Sequence, residues 1–244
     1  MRDGVALAHI DDLLPSTGAY LENIQTYAKQ VRPFAKGKNS IKTHFLYLML
    51  GDISFTRDNP VLQFALARPI LDMMNAYMGM ATTFHSAEFI LTLSVGDALP
   101  ISSQQWHRDA GDKKICRTFL YASDVDETSG PFIYVKGSHY RGKWRGVSPQ
   151  SHPAGGYPPI HAVERTVPVS DIMTCLGRAG TIIFADTAGL HKGGYIKEGE
   201  RQLLSLGYSS GAALDDRKFT VPEIDKSWDD VQKFAIGPEK PSKR

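Results

Sequence analysis

Cysteine is nearly absent from this chain: only Cys116 and Cys175 occur among 244 residues. They stand far apart and in no metal-like spacing, which argues against a disulfide framework and suits two reduced core thiols in a cytoplasmic protein. No apolar run reaches the roughly 20 residues needed to cross a bilayer, so no membrane contact is expected. The opening MRDGVALAHIDD places acids where a secretory signal would need its apolar stretch. An excess of one charge sign is also missing. The 28 Lys and Arg residues are matched by 26 Asp and Glu, for a net charge of +2. A nucleic-acid partner is therefore not expected, because its binder would show dominant and clustered basic residues. No internal repeat is visible.

What remains is an ordinary globular composition, 42% hydrophobic and 22% charged, long enough for one large domain with a real core. Two segments read as helices. Residues 16–31 have Ser16 and Thr17 as caps, with Tyr20, Leu21, Ile24, Tyr27, Ala28 and Val31 on one face of a 3.6-residue period. Residues 60–78 follow Asp58 and Asn59 and open on Pro60, with Leu62, Leu66, Leu71, Met74 and Met78 as the apolar side; Pro69 is expected to kink or divide this helix. After about residue 84 the pattern changes to short strand-like runs at 89–95, 115–121, 132–135, 181–184 and 203–208. Turn-rich pieces such as ETSGP, KGSH and PAGGYPP separate them, which indicates an antiparallel sandwich or barrel. Residues 147–161 read as a long surface loop, and the tail from Pro238 as frayed.

The chemistry lies in two segments. In QQWHRDAGD, His107 and Asp109 are two residues apart, so on an extended chain an imidazole and a carboxylate face the same way. In GTIIFADTAGLHKGGYIKEGERQLL, a strand runs into a turn and then His191, 82 residues beyond Asp109 and far enough for intervening strands to fold it back. Two histidines and one carboxylate on a face of an ion leave adjacent positions open, the arrangement of non-haem iron(II) oxygenases. Ten residues later comes Arg201, a planar and permanent cation suited to gripping the distal carboxylate of a keto acid.

From about residue 86 to 209 these segments resemble the phytanoyl-CoA dioxygenase family. WHRD is similar to that family's first ligand motif, GTIIFADTAGLH to its strand leading into the distal histidine, and SGPFIYVKGSH to its strand and Gly-Ser-His turn; GVALAHIDDLLP is similar to its opening strand. The resemblance implies a mainly β fold, a double-stranded β-helix (jelly roll, cupin-like) braced by N-terminal α-helices. It implies a single domain over 1–244, with a strand and bracing helices in 1–84, the jelly-roll core in 85–210 and a C-terminal extension in 211–244. It implies iron(II), 2-oxoglutarate and dioxygen as cofactor and cosubstrates, with His107, Asp109 and His191 as metal ligands. Arg201 matches the family's partner of the 2-oxoglutarate distal carboxylate, and Gln105, on the face of His107 and Asp109, is a further candidate for contact with the cosubstrate. The sequence departs from the family pattern at Leu203, where relatives often carry Ser or Thr; Ser205 lies one strand repeat further on.

The reaction so implied is oxidation of a small-molecule metabolite with release of succinate and carbon dioxide. Hydroxylation is the default, and desaturation, ring formation and epoxidation stay open. Halogenases of this superfamily carry Gly or Ala in place of the carboxylate ligand, so Asp109 argues against halogenation. An anionic group on the substrate is expected to meet one or two cations from Arg117, Arg141 and Arg145. The alternatives are a catalytically silent jelly-roll binding protein and a cupin-like metal enzyme that does not use 2-oxoglutarate. His139 is expected to be a structural turn histidine. The sequence does not specify an oligomeric state.

Overall fold

The structure, a computed structural model, describes all residues except 1, 15–18, 38–45, 49–52, 95, 97–99, 111, 113, 149–156, 212–218 and 238–244. The expected caps Ser16 and Thr17, most of the 147–161 loop and the tail from Pro238 lie outside the described residues. The chain opens with strand β1 (Val5–His9), the short helix α1 (Ile10–Leu13) and helix α2 (Tyr20–Val31). Short strands β2 (Lys36–Gly37), β3 (Leu46–Leu48) and β4 (Ile53–Ser54) precede helices α3 (Pro60–Ala65) and α4 (Arg68–Met78). Then come β5 (Thr82–Leu93), β6 (Cys116–Tyr121), β7 (Phe132–Val135), α5 (Ala162–Thr166), β8 (Ile172–Cys175), β9 (Thr181–Asp186), β10 (His191–Gly193) and β11 (Glu200–Ser210). Strand β12 (Phe219–Thr220) and helix α6 (Asp230–Ile236) follow.

The segment 60–78, expected to be kinked or divided at Pro69, is two helices. Asn59 caps α3, its side chain accepting from the amides of Val61 and Leu62, with Pro60 in the first turn. The break falls at Leu66 and Ala67, because Pro69 has no amide hydrogen to continue the ladder and sits instead in the first turn of α4. The Leu66 carbonyl left over by the break accepts a hydrogen bond from the Gln232 side chain of α6 at 3.0 Å. The carbonyl of Ala65 accepts from the Tyr208 hydroxyl at 2.8 Å, tying α3 to β11.

The major sheet has the order β1-β9-β6-β11-β5-β3-β2, and the minor sheet β10-β7-β8. All pairings within these two sheets are antiparallel. Both faces of the major sheet are covered. One face sends Phe84, Phe89, Leu120, Phe184, Leu204 and Leu206 into a core shared with Ile24 of α2, Leu62 of α3 and Leu71 of α4. The other sends Val5, Ile90, Phe119, Tyr121, Ile183 and Leu203 towards Phe132 and Tyr134 of the minor sheet. Burial on both sides is why β9 and β11 read as near-continuous apolar runs and not as alternating ones. The opening strand β1 belongs to the major sheet itself, paired with β9 from Val5↔Ala185 to His9↔Thr181. Among the described residues no helix is long and apolar enough to cross a membrane.

Candidate metal centre

The HRD segment is not one of the sheet strands. Only His107 makes a β-bridge, to His191, through reciprocal backbone bonds of 2.9 and 3.0 Å. The Asp109 amide then donates to the Thr187 carbonyl at 2.8 Å. The segment is thus an extended edge laid against the turn that leads into β10, and this backbone pairing, more than a continuous strand, sets its direction. It brings the ligand-type atoms of His107, Asp109 and His191 to within 4.8 Å of one another.

Each imidazole is oriented from behind. Nδ1 of His107 lies 2.9 Å from the carbonyl oxygen of Gln105, and Nδ1 of His191 lies 2.9 Å from that of Gly189. A carbonyl only accepts, so Nδ1 carries the proton in both rings and Nε2 is left as the ligand atom. Gly189 is required beside this carbonyl, because the Tyr134 hydroxyl occupies the space that a Cβ would take. Burial, and then the neighbouring His107, push the His191 imidazole down to about 3 against the pull of Asp109, so it is neutral and ligand-competent at neutral pH. Burial alone would raise the Asp109 carboxyl. The Arg117 guanidinium, the two imidazoles and a hydrogen bond from Thr187 reverse this and hold it well below the usual carboxylate range.

Arg117 is engaged with the cluster: its Nε donates to Asp109 Oδ2 at 3.0 Å. The reason is register, since β6 carries it to the inner face opposite Gly207. Arg141 and Arg145 are exposed and neither contacts the three residues. The Gln105 side chain donates to the Pro100 carbonyl at 2.9 Å, and its backbone oxygen faces Nδ1 of His107. His139 has its Nε2 3.1 Å from the Arg2 carbonyl, as befits a turn histidine.

Arg201 lies in β11 and is only 6% exposed. Its recorded partner is the Thr92 hydroxyl, 3.3 Å from Nη2, and its buried Nε has none. Among the described residues no carboxylate forms an ion pair with it. Thr92 stands directly opposite on β5, in the register pair Arg201↔Thr92, while Leu203 packs in the inner apolar core. A hydroxyl thus stands beside Arg201 from the neighbouring strand β5. A Cβ at Gly193, two residues after His191, would meet the Ser103 carbonyl oxygen at 3.5 Å and Arg201 Nη2 at 4.0 Å, so β10 passes the guanidinium at ordinary packing distance.

Sequence reasoning missed Arg108. All five of its N–H groups go to backbone carbonyls: Nε to Ser148 (2.8 Å), Nη1 to Ser138 and Ala188 (2.6 and 2.8 Å), and Nη2 to Trp144 and Val147 (3.3 and 2.9 Å). The cation, which lies between His107 and Asp109, thus ties the 138–148 turn and the approach to His191 to this segment. Its lone hint was a positive charge inside the motif. Replacing it by methionine leaves five carbonyls without that donor set, and should cost on the order of 3 kcal/mol. That loss corresponds to a melting temperature roughly 10 °C lower for a chain of this size, measurable by circular dichroism. On the far side, Trp106 donates to Glu164 at 2.6 Å and lies under Lys192 Nζ at 4.5 Å, which docks α5 against the segments bearing His107 and His191.

No protein-family model matches the chain, and no curated protein does. Solved structures do. The epimerase SnoN, in complex with Fe3+, alpha ketoglutarate and nogalamycin RO, superposes with a TM-score of 0.64 at 16% identity, over 94% of this chain and 89% of its own. EctD from S. alaskensis, with 2-oxoglutarate and 5-hydroxyectoine, gives 0.61 at 14% identity over 99% and 82%. HygX from Streptomyces hygroscopicus, with nickel, 2-oxoglutarate and hygromycin B bound, gives 0.53 at 13% over 86% and 84%. Identities this low speak to architecture, and the architecture they share with this chain is the double-stranded β-helix, a mainly antiparallel jelly roll carrying helices on one face of its larger sheet.

Proposed function

We propose that this protein is a non-haem iron(II)- and 2-oxoglutarate-dependent oxygenase acting on a small molecule, similar to the phytanoyl-CoA dioxygenases that its motifs resemble. Arg201 carries this reading. A buried guanidinium without an anionic partner is costly, and a bound dicarboxylate removes the cost. Its orphaned Nε and the adjacent Thr92 hydroxyl are donors for that carboxylate. The donor set fits the metal equally well: two imidazoles fixed by carbonyls and one ionised carboxylate suit iron(II) and leave adjacent positions for a bidentate keto acid. This is also why a metal centre without 2-oxoglutarate is the weaker reading, since it leaves Arg201 unexplained.

In this reading His107, Asp109 and His191 hold the metal, Arg201 and Thr92 orient the cosubstrate, and the apolar wall of Phe132 and Leu203 keeps water from the bound groups. Iron(II) with 2-oxoglutarate and dioxygen supplies the oxidising power, with succinate and carbon dioxide as co-products. Solved structures of this fold include an epimerase and a carbocyclase, so the outcome on the substrate is set by which carbon is presented and not by the fold. Hydroxylation is the reading favoured here, and Asp109 disfavours halogenation. The test is anaerobic addition of iron(II) and then 2-oxoglutarate to the metal-free protein. A weak metal-to-ligand charge-transfer band in the visible is expected, with succinate release on admitting air. Absence of both defeats the proposal.

A further inference from the structure

The two oxygens of Asp109 have different neighbours. Oδ1 faces His191 Nε2 at 4.0 Å, within the ligand cluster, whereas Oδ2 accepts from Arg117 Nε at 3.0 Å. Arg117 reaches it from the inner face of β6, between Gly207 on β11 and Ala185 on β9, and its Nη1 lies 3.5 Å from the Ser205 hydroxyl. Thr187 also donates a hydrogen bond to this carboxylate, and Arg117 is the cation that pairs with Oδ2.

We propose that Arg117 is a positioning residue that occupies Oδ2, so that Asp109 offers the metal a single oxygen. The inference rests on the oxygenase reading above and deepens it. A carboxylate free to turn takes an ion with one oxygen or with both. Using both would consume a position that a bidentate keto acid needs. The same guanidinium places a positive charge beside the metal position, which opposes cation binding. Arg117 thus favours 2-oxoglutarate at the expense of metal affinity. Its removal should move the two affinities in opposite directions or leave the metal's unchanged, whereas loss of mere packing would weaken both together.

The experiment compares the wild-type protein with Arg117→Met and Arg117→Lys. Nickel(II) is titrated calorimetrically into each metal-free protein, and 2-oxoglutarate is titrated anaerobically into each iron(II)-loaded protein by the charge-transfer band. The expected result for Arg117→Met is nickel bound at least as tightly as by the wild type and 2-oxoglutarate bound at least tenfold more weakly. Arg117→Lys, which keeps the charge but not the planar fork, should recover part of the 2-oxoglutarate affinity. A parallel loss of both affinities in Arg117→Met, or no change in either, overturns the inference while leaving the oxygenase reading intact. A wild-type protein that binds neither ligand overturns both.

Discussion

Replacing His191 by alanine is expected to weaken iron(II) binding by well over 100-fold while leaving the jelly roll folded. Loss of an outer hydrogen-bonding partner alone costs metal sites about 10- to 100-fold in affinity, and this substitution removes a ligand outright. The residue is almost fully buried, its ring is held by the Gly189 carbonyl, and its backbone is bridged to His107. The backbone bonds survive the substitution, which separates loss of the metal from loss of the fold. Calorimetric titration with iron(II) under nitrogen reads the affinity, and far-ultraviolet circular dichroism reads the fold. Undiminished binding in a folded His191→Ala protein would remove this histidine from the centre and with it the three-residue site.

The second large effect concerns Arg201. Arg201→Met should lower 2-oxoglutarate affinity by roughly 100-fold or more, since removing one partner of a desolvated ion pair costs about 3–5 kcal/mol. The stability of the ligand-free protein is expected to move the other way. Burial lowers the pKa of this guanidinium, which states that the ligand-free fold pays for holding the charge there. A methionine of similar length should leave the melting temperature unchanged or raise it. With 2-oxoglutarate present the order reverses, because bound ligand stabilises only the protein that binds it. Thermal melts of both proteins, each with and without the iron(II) and 2-oxoglutarate pair, check the prediction. A drop in the ligand-free melting temperature would assign Arg201 to the fold instead of the site.

Much of this site was legible in one dimension because its information is local. His107 and Asp109 share a face by the two-residue alternation of extended chain, and the Gly189 that precedes His191 marks a turn packed too closely for any side chain. The proline at 69 marked a division of the helix, though not its place, which depends on where Leu66 finds its partner in α6. The pairing of Arg117 with Asp109 was not legible, because a cation next to an anionic substrate and a cation next to an anionic side chain look alike in sequence. The Thr92 hydroxyl was invisible, since it lies 109 residues from Arg201 and belongs to no shared motif. Arg108 was passed over because backbone carbonyls, its only recorded partners, leave no mark in a sequence.

The sequence by itself determined which ligand types the chain owns, which pairs of them face together, and the mainly β character of the chain beyond residue 84. Only the tertiary structure decided which oxygen of Asp109 is held by Arg117 and which hydroxyl stands by Arg201. Backbone geometry repeats every two or 3.6 residues and is written locally. Register between strands far apart in the chain comes instead from burying both faces of one sheet at once, and a shift of a single residue there would exchange every inner side chain for an outer one.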